Sequence, residues 1–354
     1  MNILITGNMG YVGPVLTRHL KSSIEDLSIT GFDNGYFAHC LTDPQYLPEL
    51  RVNTQYFGDI RQLPTDILKN IDAVVHLAGI SNDPVGDQFE SVTHDINSEH
   101  SASFARMAKC MGVKKFVFAS SCSLYGFASE NPRKEDDTLN PLTAYAKSKL
   151  YMEDVLQELS DDDFNTTCLR FATACGMSDR LRLDLVFNDF VVGAVITGKI
   201  EVLSDGSPWR PLVHVADMAR SFEWALAANE NNETHTVVNV GSDDWTFQMG
   251  ELAHKVSQII PNTNVSINKE AQPDKRSYKV NFSRYKELAP NHQPAISFEQ
   301  AVSEIINGIK SVKIEANFRQ SIYTRLAVLQ EHIHRGNMDS DLFWKSDLNH
   351  LTQC

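Results

Sequence analysis

The 354 residues are 42% hydrophobic, 22% charged and 9% aromatic, with 18 Gly and 13 Pro scattered without a period. That balance excludes a disordered, collagen-like or coiled-coil chain, because there is enough apolar surface to offset the entropy of ordering. The formal charge of −13, from 32 Lys and Arg against 45 Asp and Glu, argues against nucleic acid or an anionic membrane as a partner, since both call for a basic surface.

From the N-terminus, residues 2–6 read as an apolar strand that begins at once, with no charged leader before it. Residues 11–21 follow as a helix with Val12, Val15, Leu16 and Leu20 on one face. Strands are expected at 27–32, 54–57 and 73–77, a helix at 96–111, a strand at 115–119, a helix at 142–159 and a strand at 166–171. Near-continuous apolar strands alternating with helices imply a parallel sheet covered on both faces, the doubly wound α/β (Rossmann) fold. After Gly176 come a helix at 185–197, a strand at 200–203, a helix at 215–228, a strand at 236–240 and a helix at 248–260. Residues 261–295 are polar and irregular, and 298–345 look helical. The expected division is a Rossmann domain over 1–175 with a return segment near 211–240. A smaller substrate-binding lobe takes 176–210 and 241–310, and a helical C-terminal extension takes 311–354. No apolar run approaches the roughly 18–20 residues of a membrane span. Six Cys (40, 110, 122, 168, 175 and 354) show no metal-ligand spacing and read as reduced thiols of a cytoplasmic protein that holds no metal. His332 and His334 have no spaced partner either.

Three motifs carry chemistry. Gly7-Asn8-Met9-Gly10-Tyr11-Val12-Gly13 lies between the first strand and the first helix. Glycines there allow a tight turn and close approach of a pyrophosphate, and the helix N-terminus supplies free N–H groups and positive dipole. Asp33 ends the second strand about twenty residues on, where a carboxylate accepts from both hydroxyls of an adenosine ribose and repels a 2′-phosphate. NAD is therefore expected over NADP. Tyr145 and Lys149 are four apart on one helix and share a face. An ammonium beside a phenol favours the phenolate, so Lys149 is expected to lower the pKa of Tyr145. The run Ser120-Ser121-Cys122-Ser123-Leu124-Tyr125-Gly126 follows the fifth strand, at the carboxyl end where doubly wound sheets hold ligands.

In this order the motifs resemble the extended short-chain dehydrogenases/reductases, the NAD-dependent epimerase/dehydratase group that acts on nucleotide sugars. Gly58-Asp59-Ile60, His76-Leu77-Ala78-Gly79, Asn97, Leu169-Arg170-Phe171 and Val213-His214-Val215-Ala216-Asp217 extend the resemblance over about the first 280 residues. It implies that Gly7, Gly10, Tyr11, Val12 and Gly13 hold the pyrophosphate and that Asp33 and Asn34 hold the ribose. Asp59 and Ile60 sit against adenine, while Leu77, Ala78, Gly79, Asn97, Ser120 and Phe171 complete the cofactor site. Tyr145 is implied as the acid/base, Lys149 as its tuner and a ribose ligand, and Ser121 as the group orienting the reacting oxygen. Ser81, Ser121, Ser123, Thr173, Asn188, Arg210 and Arg276 are implied as contacts to a nucleotide-diphosphate sugar.

Dehydratases of this family carry an acidic pair just after the serine. This sequence has Cys122-Ser123 there, so a C4 epimerase or a 4-keto-reductase is expected, with the loop most like that of UDP-galactose 4-epimerases. Thr173 stands where those epimerases usually carry Asn. The alternatives are a 4,6-dehydratase and a catalytically silent dinucleotide-binding regulator. Cys122 or Cys175 is a conceivable nucleophile, and a small buried thiol is the simpler reading. By resemblance the chain is expected to pair as a homodimer through the helices at 96–111 and 142–159.

Overall fold

The computed structural model describes residues 1–43, 45–127, 131–227, 233–271 and 277–345. The chain opens with β1 (Asn2–Thr6), α1 (Gly13–Ser23), β2 (Ser28–Asp33), β3 (Thr54–Phe57) and β4 (Ala73–His76). Then come α2 (Asp83–Gln88), α3 (Glu90–His94), α4 (Ser101–Cys110), β5 (Lys115–Ser121), α5 (Ala144–Leu159) and β6 (Asn165–Phe171). The second half adds β7 (Thr173–Cys175), α6 (Val186–Thr197), β8 (Lys199–Val202), β9 (Trp209–His214), α7 (Val215–Ala227) and β10 (His235–Val240). After these follow β11 (Thr246–Gln248), α8 (Met249–Ile259), β12 (Asn264–Ile267), α9 (Ser283–Leu288), α10 (Phe298–Gly308) and α11 (Arg325–His334).

Seven strands pair in parallel in the order β10-β6-β5-β4-β1-β2-β3. The chain builds outward from β1 through β2 and β3, then from β4 the other way, so the order reverses between β1 and β4. A crevice opens at the carboxyl ends of the strands at such a reversal. Ile3, Leu4, Ile5, Val74 and Val75 are fully buried, which is why β1 and β4 read as unbroken apolar runs. Leu16, Leu20 and Phe222, from α1 and α7, cover one face of the sheet. Phe104, Ala105, Met152 and Leu156, from α4 and α5, cover the other. A third core, with Phe187, Leu252, Phe298 and Ile305, joins α6, α8 and α10 beside the small sheets β11-β9-β7 and β12-β8.

Several elements depart from the sequence expectations. β7, β9 and β11 are short and pair with one another across the chain, so no local period announces them. Residues 261–295 contain β12 and α9. The expected helix at 298–345 divides into α10 and α11, and the helix at 96–111 begins earlier and passes through a wide turn at Asp95–His100.

The stretch after α10 packs back onto the body. Leu329, Met338 and Leu342 join the core on the α4 and α5 face. Trp344 Nε1 donates to the Asn34 carbonyl (2.7 Å), Arg61 Nη1 donates to the Asp341 carbonyl (2.8 Å), and the Arg61 guanidinium lies 3.4 Å over the Phe343 ring. The Tyr36 hydroxyl donates to the Leu342 carbonyl. No helix among the described residues is long and apolar enough to cross a membrane.

Candidate active site

A cavity of about 710 Å³ lies at the carboxyl ends of the sheet strands and extends toward the smaller sheets. Gly7, Gly10, Tyr11, Val12, Asp33, Asn34, Ile60, Leu77, Ala78 and Gly79 line one half of it. Gly7 turns the chain at φ +73°, and a Cβ there would stand 2.5 Å from the Ala78 nitrogen. A Cβ on Gly10 would meet only the Gly7 carbonyl, at 3.2 Å, so the loop stays open toward the cavity at that point. Gly13 lies behind, where a Cβ would strike the Asn8 carbonyl oxygen at 2.1 Å, and it lets α1 start against the loop. Asp33 accepts from the backbone N–H groups of Met9 (2.9 Å) and Gly35 (2.8 Å), which fixes its carboxylate at the cavity wall. Burial raises its pKa, and those two hydrogen bonds oppose the rise. An open glycine turn, a helix N-terminus and a held carboxylate together fit a dinucleotide's pyrophosphate and ribose.

Two further residues of this half act at a distance. Asp59 is off the cavity, forked to Arg61 (2.7 Å), and caps the turn that presents Ile60. Asn97 is buried beneath the floor, accepting from the Ile80 N–H (2.8 Å) and donating to the Ile80 carbonyl (2.9 Å) and Ser148 (3.2 Å). It thereby holds the Gly79-Ile80 backbone. The Tyr11 phenol reaches away and donates to the Gly176 carbonyl (2.6 Å).

Ser120, Ser121, Ser123, Tyr145, Lys149 and Phe171 form the middle of the cavity. Thr143 caps α5 by accepting from the Ala146 N–H (3.1 Å), which places Tyr145 in the first turn and Lys149 one turn on. Ser121, whose Oγ accepts from the Ser123 N–H (3.1 Å), lies near enough to the Tyr145 phenol to favour its ionised form. The Lys149 ammonium lies 5.5 Å from the Tyr145 ring and 4.6 Å from the Phe118 ring. Burial pushes Tyr145 up to about 12, and the Asp83 carboxylate adds to the rise, against the Ser121 hydroxyl and Arg182. Burial likewise pushes Lys149 down to about 8. In the protein alone burial sets the direction of the phenol's shift, upward rather than the expected downward one. Deeper still, Ser120 donates to Glu153, which pairs with Arg170 at 2.7 Å.

Ser81, Thr173 and Arg210 line the other half, with Arg210 5.6 Å over the Tyr278 ring. Asn188 is not on the wall. It is fully buried, accepts from the Gly176 N–H (2.9 Å) and donates to the Arg182 carbonyl (2.9 Å). Arg276 lies outside the described residues. Cys122 and Cys175 donate to backbone carbonyls of Arg170 (3.1 Å) and Val213 (3.4 Å), and burial raises the pKa of both thiols. Neither lines the cavity, so neither is placed for attack.

Sequence reasoning passed over six charged wall residues, Arg182, Asp184, Asp189, Glu201, Arg319 and Arg325, and did not weigh Asp83 as a charge near the phenol. Arg182 is forked to Asp184 (2.9 and 3.0 Å) and donates to Ser81 (3.2 Å). The alternation Arg180-Leu181-Arg182-Leu183-Asp184 was the available signal, since charges interleaved with buried leucines must find partners. Arg325 shares a helix face with Val328 and Leu329, a cation on an apolar stripe.

Residues 3–241 match the model of the NAD dependent epimerase/dehydratase family. The chain belongs to that family. It is an NAD-dependent enzyme of the extended short-chain dehydrogenase/reductase type. The UDP-glucose 4-epimerase of Lactobacillus helveticus is 30% identical over 286 residues, 74% of this chain and 84% of that one. Among solved structures, a UDP-glucuronic acid 4-epimerase from Bacillus cereus with UDP-glucuronic acid and NAD superposes with TM-score 0.73 at 22% identity, covering 88% of this chain and 100% of that one. An NAD-dependent NDP-hexosamine 5,6-dehydratase of tunicamycin biosynthesis gives 0.75 at 22%, covering 88% and 98%. At that identity the likeness is one of fold.

Proposed function

We propose that this family member acts at C4 of a nucleotide-diphosphate sugar, as a 4-epimerase or a 4-keto-reductase. The observation that carries this is the grouping of Ser121, Tyr145 and buried Lys149 on one stretch of cavity wall, with Cys122 and Ser123 following Ser121 in place of an acidic pair. NAD, held by Gly7, Gly10, Asp33 and Lys149, would supply hydride transfer. Ser121 orients the C4 oxygen, and Tyr145 takes or returns its proton. A phenol at about 12 holds its proton in the resting protein, and added positive charge beside it favours the phenolate. Removing a proton from a C4 hydroxyl therefore goes with an oxidised nicotinamide, and returning it goes with a reduced one. Arg210, on the wall of the substrate half, carries a guanidinium suited to anionic oxygens.

Replacing Tyr145 with Phe is expected to remove turnover by at least about a thousandfold, in line with general acid–base catalysis, while NAD stays bound. Near-normal turnover in that variant would discard the assignment. A second reading has one observation in its favour: Asp83 lies on the cavity wall, held by Thr143 (2.7 Å), and acts electrostatically on Tyr145. A carboxylate there could draw a proton from carbon, as an elimination requires. Product mass separates the readings, since epimerisation leaves it unchanged, reduction adds two hydrogens and dehydration removes one water.

A further inference from the structure

Two cations on the cavity wall are held in tight pairs with carboxylates. Arg182 is forked to Asp184, and Arg319 is paired with Asp189 (2.7 Å) and Glu201 (2.5 Å). Arg325 differs. It is only 2% exposed, its Nη2 donates to the Arg180 carbonyl (3.0 Å), and its guanidinium lies 4.4 Å over the Phe37 ring. Its Nη1 has no hydrogen-bond partner among the described residues, and no carboxylate there lies within ion-pair distance of it. The hydroxyl of the preceding residue, Thr324, is buried and unpartnered too. Thr324, Arg325 and Leu329, one turn on, all line the cavity.

A buried guanidinium without a counter-charge is costly, and an orphaned buried donor calls for a reason. Burial pushes its pKa down to about 10, with Arg182 acting the same way and Asp184 only partly opposing. We propose that Arg325 and Thr324 form an anion-binding position in the cavity, where Nη1 and the Thr324 hydroxyl receive a phosphoryl or carboxylate oxygen of a bound ligand. The stretch after α10 is then part of the active site. Two sources of that oxygen fit. The loop from Gly7 to Gly13, which would hold a dinucleotide pyrophosphate, contributes no Lys or Arg of its own. Arg325 also interacts with Arg182 and Asp184, which point toward the substrate half. The inference rests on the reading that this cavity takes NAD and a nucleotide sugar.

The test uses Arg325→Gln and Arg325→Lys in the full chain. It measures ligand-free unfolding temperature, NAD retained per chain, and calorimetric affinity of the NAD-loaded protein for UDP, UDP-glucose and UDP-glucuronate. Arg325→Gln should unfold no lower than the unsubstituted protein without ligand, yet lose about ten- to a hundredfold affinity for an anionic ligand, with Arg325→Lys recovering part of it. Loss of NAD alone assigns the oxygen to the dinucleotide. An equal loss for all three uridine ligands assigns it to the substrate diphosphate, and a loss for UDP-glucuronate alone assigns it to a sugar carboxylate. Unchanged affinities overturn the proposal, as does a lower unfolding temperature with binding intact, which is the mark of a structural arginine. If Arg325→Gln does not fold, Arg325→Lys carries the comparison. An unsubstituted protein that takes up neither NAD nor any uridine ligand sinks the reading beneath the proposal as well.

Discussion

Lys149 offers a test in which function and stability pull in opposite directions. Its pKa falls from 10.5 to about 8 on burial, which at about 1.4 kcal/mol per unit means that its charged form costs about 3 kcal/mol in the folded protein. Lys149→Met removes that cost, and it also removes the contact with the Phe118 ring, which at 4.6 Å is worth about 1 kcal/mol. The net expectation is a gain of about 2 kcal/mol against urea at pH 7, with turnover lost. The pH dependence has a definite sign. Between about 8 and 10.5 the unfolded chain binds a proton at Lys149 that the folded chain does not. Stability of the unsubstituted protein should therefore rise with pH across that window, and the rise should vanish in Lys149→Met. Urea midpoints of NAD-free protein at pH 7 and pH 10 measure both effects. A variant weakened by more than about 1 kcal/mol at pH 7 would show that the ammonium is well compensated in the fold, and the argument from desolvation would fail.

Three other outcomes follow from the geometry. Glu153→Gln leaves Arg170 buried with its partner gone, both side chains being 5% exposed; a loss of about 3–5 kcal/mol is expected in denaturant unfolding, and a loss under about 1 kcal/mol would contradict it. Gly7→Ala places a Cβ against Ala78 at a left-handed φ, so the chain should purify without NAD, and full occupancy by absorbance would refute the role of that turn. Asp83→Asn should leave epimerisation or reduction within about tenfold while removing any dehydration product; loss of every activity would make Asp83 part of the C4 chemistry.

The parts of the fold and site legible in the sequence were those whose signal is local. β1 and β4 announce themselves because burial on both faces demands unbroken apolar runs, and Tyr145 and Lys149 because four residues make one helical turn. The Gly7 turn stands out because its conformation excludes side chains. Arg325 is different. It reaches the wall from a helix whose own period says nothing about the cavity, and tertiary packing alone decides where its charge ends up. Asn188 shows the converse, since a helix position expected to contact substrate points its amide at the backbone of Gly176 and Arg182. The direction of the Tyr145 shift in the protein alone has a related cause. Helical spacing reveals the neighbouring amine, but the water stripped from both groups is a property of the assembled interior.

The hydrogen bond from Trp344 to Asn34 joins residues 310 positions apart, and Arg61 reaches 280 positions to Asp341. Closing so long a loop is slow compared with pairing neighbouring strands. The turn that follows β2 therefore gains its outer buttress only late in folding, after nearly the whole molecule is in place. The last strand of the central sheet ends at Val240, so a newly made polypeptide holds all seven strands before the residues that brace Asn34 are added.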